Sequence, residues 1–191
     1  MSSRTVRTLH GRFRNRFRVR PGGSVMMAPW STLVDVVLIG IGATLVADVW
    51  AILQQALFRL PMLNLALVGR WVGHFPRGRI RHVSIAAAEP VPGEAALGWF
   101  THYVVGIAFA AVLVAGWGTD WVRAPTLPPA LIVGAGTVVF PFFIMQPAFG
   151  LGLAGAKTPN PRMTRVRSLL AHLSFGLGLY LAGLAVSLLP I

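Results

Sequence analysis

No cysteine occurs in the 191 residues. That excludes disulfides, thiolate catalysis, cysteine-ligated zinc and iron–sulfur clusters. Charge is the second scarcity: 12% of residues are charged and 55% are hydrophobic, with a mean hydropathy of +0.68. A soluble domain carries about twice that charged fraction. Catalytic signatures are the third. There is no G-x-S-x-G elbow, no H-E-x-x-H helix, no Walker loop and no acidic pair at catalytic spacing. Glu89 and Glu94 stand five apart in a proline-rich stretch and read as solvated side chains. An enzyme is therefore the less economical reading, and no cofactor is expected. A cleavable leader is not expected either, since the first apolar run is too long and lacks a small-residue cleavage site.

Long apolar runs are abundant. Crossing a bilayer takes roughly 20 residues, and four stretches qualify, at about 33–57, 97–117, 127–149 and 166–189. The pattern predicts an all-α membrane protein: four transmembrane helices in one bundle over residues 28–191, preceded by a basic tail over 1–27.

The net charge of +12 resembles a nucleic-acid signature until the charges are placed. Seven arginines fall in the tail, five in the first loop, one in the second, and the remaining four basic residues around the third. Basic residues favour the cytoplasmic side of a membrane. With the tail included, the two sides carry eight and nine, which decides nothing. Without it the counts are one and nine, and loops one and three are expected to face the cytoplasm. The tail, "RTLHGRFRNRFRVRPGG", reads as a segment touching anionic headgroups, or as sequence upstream of a true start at Met26 or Met27. No folded nucleic-acid module accompanies it, and nucleic acid is not an expected partner.

Within the first span, "LIGIGATLVADVWAIL" contains one carboxylate, Asp48, where a charge costs several kcal/mol. Gly40, Thr44 and Asp48 share a helix face. Gly98, His102, Gly106 and Ala110 form a stripe on the second span, and Ser168, His172, Gly176 and Tyr180 one on the fourth. Gln146 stands one turn before Gly150 on the third. Small residues let helices approach closely, so these stripes should point into the bundle. At a rise of about 1.5 Å per residue, His102 lies roughly 8 Å from the loop-one side, Asp48 roughly 8 to 13 Å, His172 roughly 9 to 11 Å and Gln146 about 5 Å. One leaflet half thus gathers a buried polar site of Asp48, His102, His172, Gln146 and Thr44. The pattern H-x-x-x-G at His102 and His172, each preceded by a span with a Thr-Φ-Val string at Thr44 or Thr137, suggests two repeated hairpins.

Six strings, "GATLVADVW", "VGRWVGHFPRG", "LGWFTHYVVGIAFA", "PFFIMQPAFGLG", "KTPNP" and "AHLSFGLGLY", resemble a bacterial integral-membrane family catalogued as domain of unknown function 2938. The resemblance runs from Leu38 to Leu184 and leaves out the tail. It implies the same four-span topology and carries no activity.

Loop one, 39 residues from Phe58 to Ala96, should be structured. Its "LNLALVGRWVG" is too short to span and reads as an interfacial or re-entrant helix. Arg70, Arg77, Arg79 and Arg81, with His74 and His82 interspersed, are candidates for anionic headgroups or for an anionic ligand at the mouth of the Asp48 site. Loop three, "AKTPNPRMTR", is stiffened by two prolines. Pro141 should kink the third span.

Three function classes stay open. Intramembrane ionisable residues point to function, which favours a small-solute or proton-coupled transporter-like protein with Asp48 as the protonatable group. Four spans are few for that, so a homodimer is implied, with the small-molecule ligand unidentified. An accessory subunit would use the same polar groups to lock helix register, Gln146 and Thr44 simply bonding neighbouring helices. A cofactor enzyme would use His102 and His172 as haem ligands, or Asp48, His102 and His172 on a metal.

Overall fold

Thirty residues whose only charges are Asp35 and Asp48 make the first helix, α1 (Pro29–Phe58), in a computed structural model that describes residues 29–189. The basic tail, expected over 1–27, lies outside the described residues. α1 stops where Arg59 takes a left-handed φ of 53°, two residues before Pro61. A short helix, α2 (Leu65–Gly73), follows, with Asn64 accepting a hydrogen bond from the Ala66 N–H at 3.1 Å as its N-cap. Its nine residues are too few to span, as the sequence suggests.

The second span is α3 (Glu94–Trp117), and α4 (Thr119–Arg123) is a single turn beyond it. The third is interrupted: α5 (Leu127–Gly136), a π-turn at Pro141–Met145, then α6 (Gln146–Ala148). Pro141 has no N–H to give, and the Gln146 N–H reaches back five residues to its carbonyl. At Pro141, where a kink is expected, the chain makes a π-turn, a device frequent at functional positions. α7 (Pro161–Ser187) completes the set, capped by Asn160, whose side chain accepts from the Met163 N–H at 3.1 Å. Four helical stretches are long and apolar enough to cross a membrane: Trp30–Phe58, Glu94–Trp117, Leu127–Ala148 and Pro161–Ser187. Among the described residues there are no strands.

One boundary differs usefully from the expectation. Apolar length alone starts the fourth span at about 166, but the Asn160 cap and Pro161 at the first helical position start α7 earlier. Arg162, Arg165 and Arg167 therefore ride on its first turns. Arg167 donates to the Pro61 carbonyl and Arg165 to that of Ala154, so the cationic end of α7 is tied to the end of α1 and to loop three.

α1 lies between α3 and α7, α5 packs on the other side of α7, and α2 lies along α3. Ile39, Ala43, Ala110, Leu113 and Leu179 are wholly buried where the spans meet. Small residues set the spacing, as the stripes imply. A Cβ on Gly106 would stand 2.1 Å from Thr44 Oγ1, and one on Gly134 would stand 2.5 Å from the Gly176 Cα. The two hairpins, α1–α3 and α5–α7, thus use the same H-x-x-x-G element as a contact surface. Gly98 departs from the expectation: it faces α2, where a Cβ would meet the Leu65 carbonyl at 1.9 Å, rather than another span.

A second apolar cluster lies under loop one, made of Leu65, Val68, Trp71, Ile85, Ala148 and Phe149. It joins loop one to the end of the third span. The His82 N–H donates to the Ala148 carbonyl at 2.8 Å and the Ile85 N–H to that of Phe149 at 3.2 Å. Gly150, at φ 85°, lets the chains pass so closely that a Cβ would stand 1.9 Å from the Val83 carbonyl.

Candidate functional site

Asp48 does have company. On α3, His102 places Nε2 at 3.0 Å from Asp48 Oδ1, and the Tyr103 hydroxyl donates to Oδ2 at 3.1 Å. Consecutive helix residues diverge by about 100°, so this adjacent pair straddles the carboxylate, one partner per oxygen. Trp99, one turn earlier, sets its ring edge-on to His102 at 6.1 Å between centroids. The side chains of Asp48 and His102 keep 16% and 30% of their surface exposed, so the pair sits at the flank of the bundle rather than at its axis. Tyr103 is legible in the sequence only as the neighbour of His102. Thr44, one turn from Asp48, donates to the Gly40 carbonyl at 2.8 Å and packs on Gly106. Its part is local to the helix contact.

His172 belongs to a different set, and this corrects the expectation of a single site with Asp48 and His102. The Thr137 hydroxyl donates to the Gly134 carbonyl at 2.7 Å, which leaves His172 Nδ1–H as the donor across the 2.8 Å contact to Thr137 Oγ1. Gln146, at the end of the π-turn, donates Nε2–H to Ser168 Oγ at 3.2 Å, while its buried Oε1 has no partner. Both bridges join the third span to the fourth. Among the described residues no three His, Cys, Asp or Glu side chains converge as metal ligands, so Asp48, His102 and His172 do not build the metal site considered for them. His102 directs Nε2 at Asp48, the nitrogen a haem iron would take. Asp35 was not singled out from the sequence, although it lies in α1 and is only 4% exposed.

The loop-one face holds the other concentration of polar groups. Arg70 is not available to headgroups, contrary to expectation. It grips Glu94 through Nε to Oε2 at 2.8 Å and Nη2 to Oε1 at 2.7 Å, and its Nη1 reaches the Ile85, Ala86 and Ala88 carbonyls at 3.0–3.3 Å. Glu94 also accepts from the Val91 N–H at 3.0 Å, so it is a structural anchor and not a solvated side chain. The pair holds loop one against the start of α3.

Beside it, His74 is buried to 1% exposure, with Nδ1 2.8 Å from His82 Nε2. The outer nitrogens, His74 Nε2 and His82 Nδ1, are buried and without hydrogen-bond partners. Burial lowers the His82 imidazole from its ordinary value, and neighbouring His74 and Arg79 lower it further against the pull of the Ala148 carbonyl. Arg77, Arg79 and Arg81 are exposed. Arg79 and Arg81, with His74, His82 and Glu89, line a cavity of about 410 Å³. A second, of about 500 Å³, adjoins it through Arg81, His82 and Val83 and is lined on its other side by Gly150, Gly152 and Lys157 of loop three; both hollows are open to the surface.

No curated protein and no solved structure matches the chain. A family model described as protein of unknown function (DUF2938) matches residues 37–186, a range that takes in Asp48, His102, Tyr103 and the whole loop-one face and leaves out Asp35. This four-span chain belongs to that family.

Proposed function

We propose that the protein is a proton-coupled, transporter-like component of the bacterial cytoplasmic membrane, with loops one and three in the cytoplasm. The observation that carries this reading is the Asp48 carboxylate held by His102 and Tyr103 inside a membrane span. An intramembrane carboxylate is expensive and is retained by default for function. With Oδ2 engaged by a hydroxyl that holds its own proton, Oδ1 and His102 Nε2 are the two positions between which a transferable proton moves. The partial exposure of both side chains leaves the pair open at the flank of the bundle. Four spans enclose little space, so the active form in this reading is a homodimer with this flank covered and a small solute bound near it.

Orientation follows from charge. With the seven arginines that precede α1 set aside, nine basic residues of loops one and three and the start of α7 fall on one side and Arg123 on the other, which supports loops one and three as the cytoplasmic ones in this reading.

Infrared difference spectroscopy on purified protein tests the proton site. A carboxyl C=O band should titrate in the wild type and vanish in Asp48→Asn. Proteoliposomes of the same preparations should then take up protons only when Asp48 is present. A wild type with neither signal would overturn the reading.

A second reading has its own support. The His172–Thr137 and Gln146–Ser168 bridges both fasten the third span to the fourth, as register locks in an accessory subunit would. Normal growth or uptake phenotypes in an Asp48→Asn strain would favour it.

A further inference from the structure

We propose that the adjoining loop-face cavities form a binding site for a phosphate-bearing anion, held by Arg79, Arg81 and Lys157 and backed by the His74–His82 pair. This goes beyond the proton reading and does not rest on it. Three observations converge. First, Arg79, Arg81 and Lys157 line the cavities, and none of their side chains has a hydrogen bond or ion pair among the described residues. Arg70 is by contrast taken up by Glu94 and three carbonyls, and Arg165 and Arg167 each donate to one backbone carbonyl. Glu89 is the one carboxylate on these walls, so the cations outnumber it.

Second, the walls are held in place before any ligand arrives. Loop one is bonded to the end of the third span through His82 and Ile85, Gly150 admits the close crossing at Val83, and the Arg70–Glu94 clamp fixes the base of the loop. Such preorganisation removes much of the ordering cost of binding.

Third, the histidine pair is incomplete by itself. In a neutral pair one ring donates to the other, so of the two outer nitrogens one carries a hydrogen and the other does not. Both are buried and unpartnered. One added proton converts both outer nitrogens to N–H donors, the state that a neighbouring anion stabilises. A tetrahedral oxyanion matches this donor set better than a single carboxylate. It offers several acceptor oxygens to two guanidinium forks and an ammonium arriving from two loops.

The anion has two sources with one chemistry, a phospholipid headgroup or a soluble phosphate ester, and one experiment separates them. Full-length protein in neutral detergent is melted with inorganic phosphate against chloride at matched ionic strength. It is then melted in phosphatidylcholine nanodiscs with and without phosphatidic acid. Stabilisation by inorganic phosphate supports a soluble ligand. Stabilisation by phosphatidic acid alone supports a headgroup. In either arm Arg81→Gln and Lys157→Gln should weaken apparent affinity by roughly tenfold or more, the worth of one charge-assisted hydrogen bond. Arg77→Gln, exposed nearby but on neither cavity wall, should bind as the wild type does. No shift in either arm, or an equal loss in all three variants, would sink the proposal, because only diffuse surface charge would then be at work.

Discussion

Asp48 on α1 and His102 on α3 meet at 3.0 Å across the first hairpin, and together with the Tyr103 hydroxyl on the other carboxylate oxygen this contact links the two helices. Losing His102 leaves the Asp48 carboxylate with Tyr103 alone, and losing Asp48 takes the carboxylate from His102, whereas losing both leaves neither half of the pair behind. Asp48→Asn with His102→Gln should therefore be less damaging than the two single changes added together, by a coupling of roughly 0.5–3 kcal/mol. His172 shares no partner with Asp48, because it bonds Thr137. The Asp48→Asn, His172→Gln pair should be additive. Thermal melts in detergent measure both cycles, and strong coupling to His172 would contradict the two-set arrangement.

Arg70 offers a sharper stability test. It holds Glu94 in a bidentate pair and fills three carbonyls of loop one, with the two side chains only 12% and 17% exposed. Arg70→Met leaves Glu94 and those carbonyls without the guanidinium that joins them, and should lower the melting temperature. Arg70→Lys should recover little, since an ammonium cannot make the fork. Limited proteolysis reads the local consequence: loop one should become cleavable in Arg70→Met before the bundle melts.

Glycines on α3 give an internal control. A Cβ on Gly98 would meet the Leu65 carbonyl at 1.9 Å, while one on Gly116 meets nothing within 4 Å. Gly98→Ala should force α2 off α3 and lower the melting temperature. Gly116→Ala should be neutral or stabilising by about 0.4–1 kcal/mol, through reduced freedom of the unfolded chain. Equal effects at the two positions would show that α2 is not seated on α3 as described.

The spans were legible because apolar length decides them, and Asp48 because it interrupts one. The pairing of Asp48 with His102 was legible in part, from equal depth and facing stripes. Depth could not assign His172, since two residues at one level of a four-helix bundle can lie on different faces. Here α7 turns His172 to Thr137. Arg70 and Glu94 were misread for a related reason. They are 24 positions apart, and a loop arginine looks exposed until a fold brings a carboxylate to it. Tyr103 and Asp35 carried no periodic signal of their own: one follows a stripe residue, and the other sits near a helix end where charge is ordinary.

Sidedness can be read with single cysteines, as the chain has none of its own. Ser84 and Ala156 are exposed on the loop-one and loop-three face, and the Asp120 side chain is 93% exposed at the opposite end. In whole cells a membrane-impermeant thiol reagent should label Asp120→Cys and spare Ser84→Cys and Ala156→Cys until the membrane is permeabilised. The reverse pattern would place the basic face outside.

Acid should act on loop one through His82. Burial, with His74 and the Arg79 guanidinium beside it, holds this imidazole below its ordinary 6.5 in the folded chain. Below that value the unfolded chain binds more protons than the folded one at this position, so the contribution is full above 6.5 and is lost as pH falls through the lowered folded value. The melting temperature of the wild type should thus fall more steeply below about pH 6.5 than that of His82→Gln; the difference between the two curves removes the carboxylates common to both. Phosphate should shrink the wild-type loss, because an anion beside the pair stabilises the added proton. It should leave the His82→Gln curve nearly unchanged in slope. Wild-type and variant curves that stay parallel down the acid limb, with or without phosphate, would remove His82 from the account of both stability and anion binding.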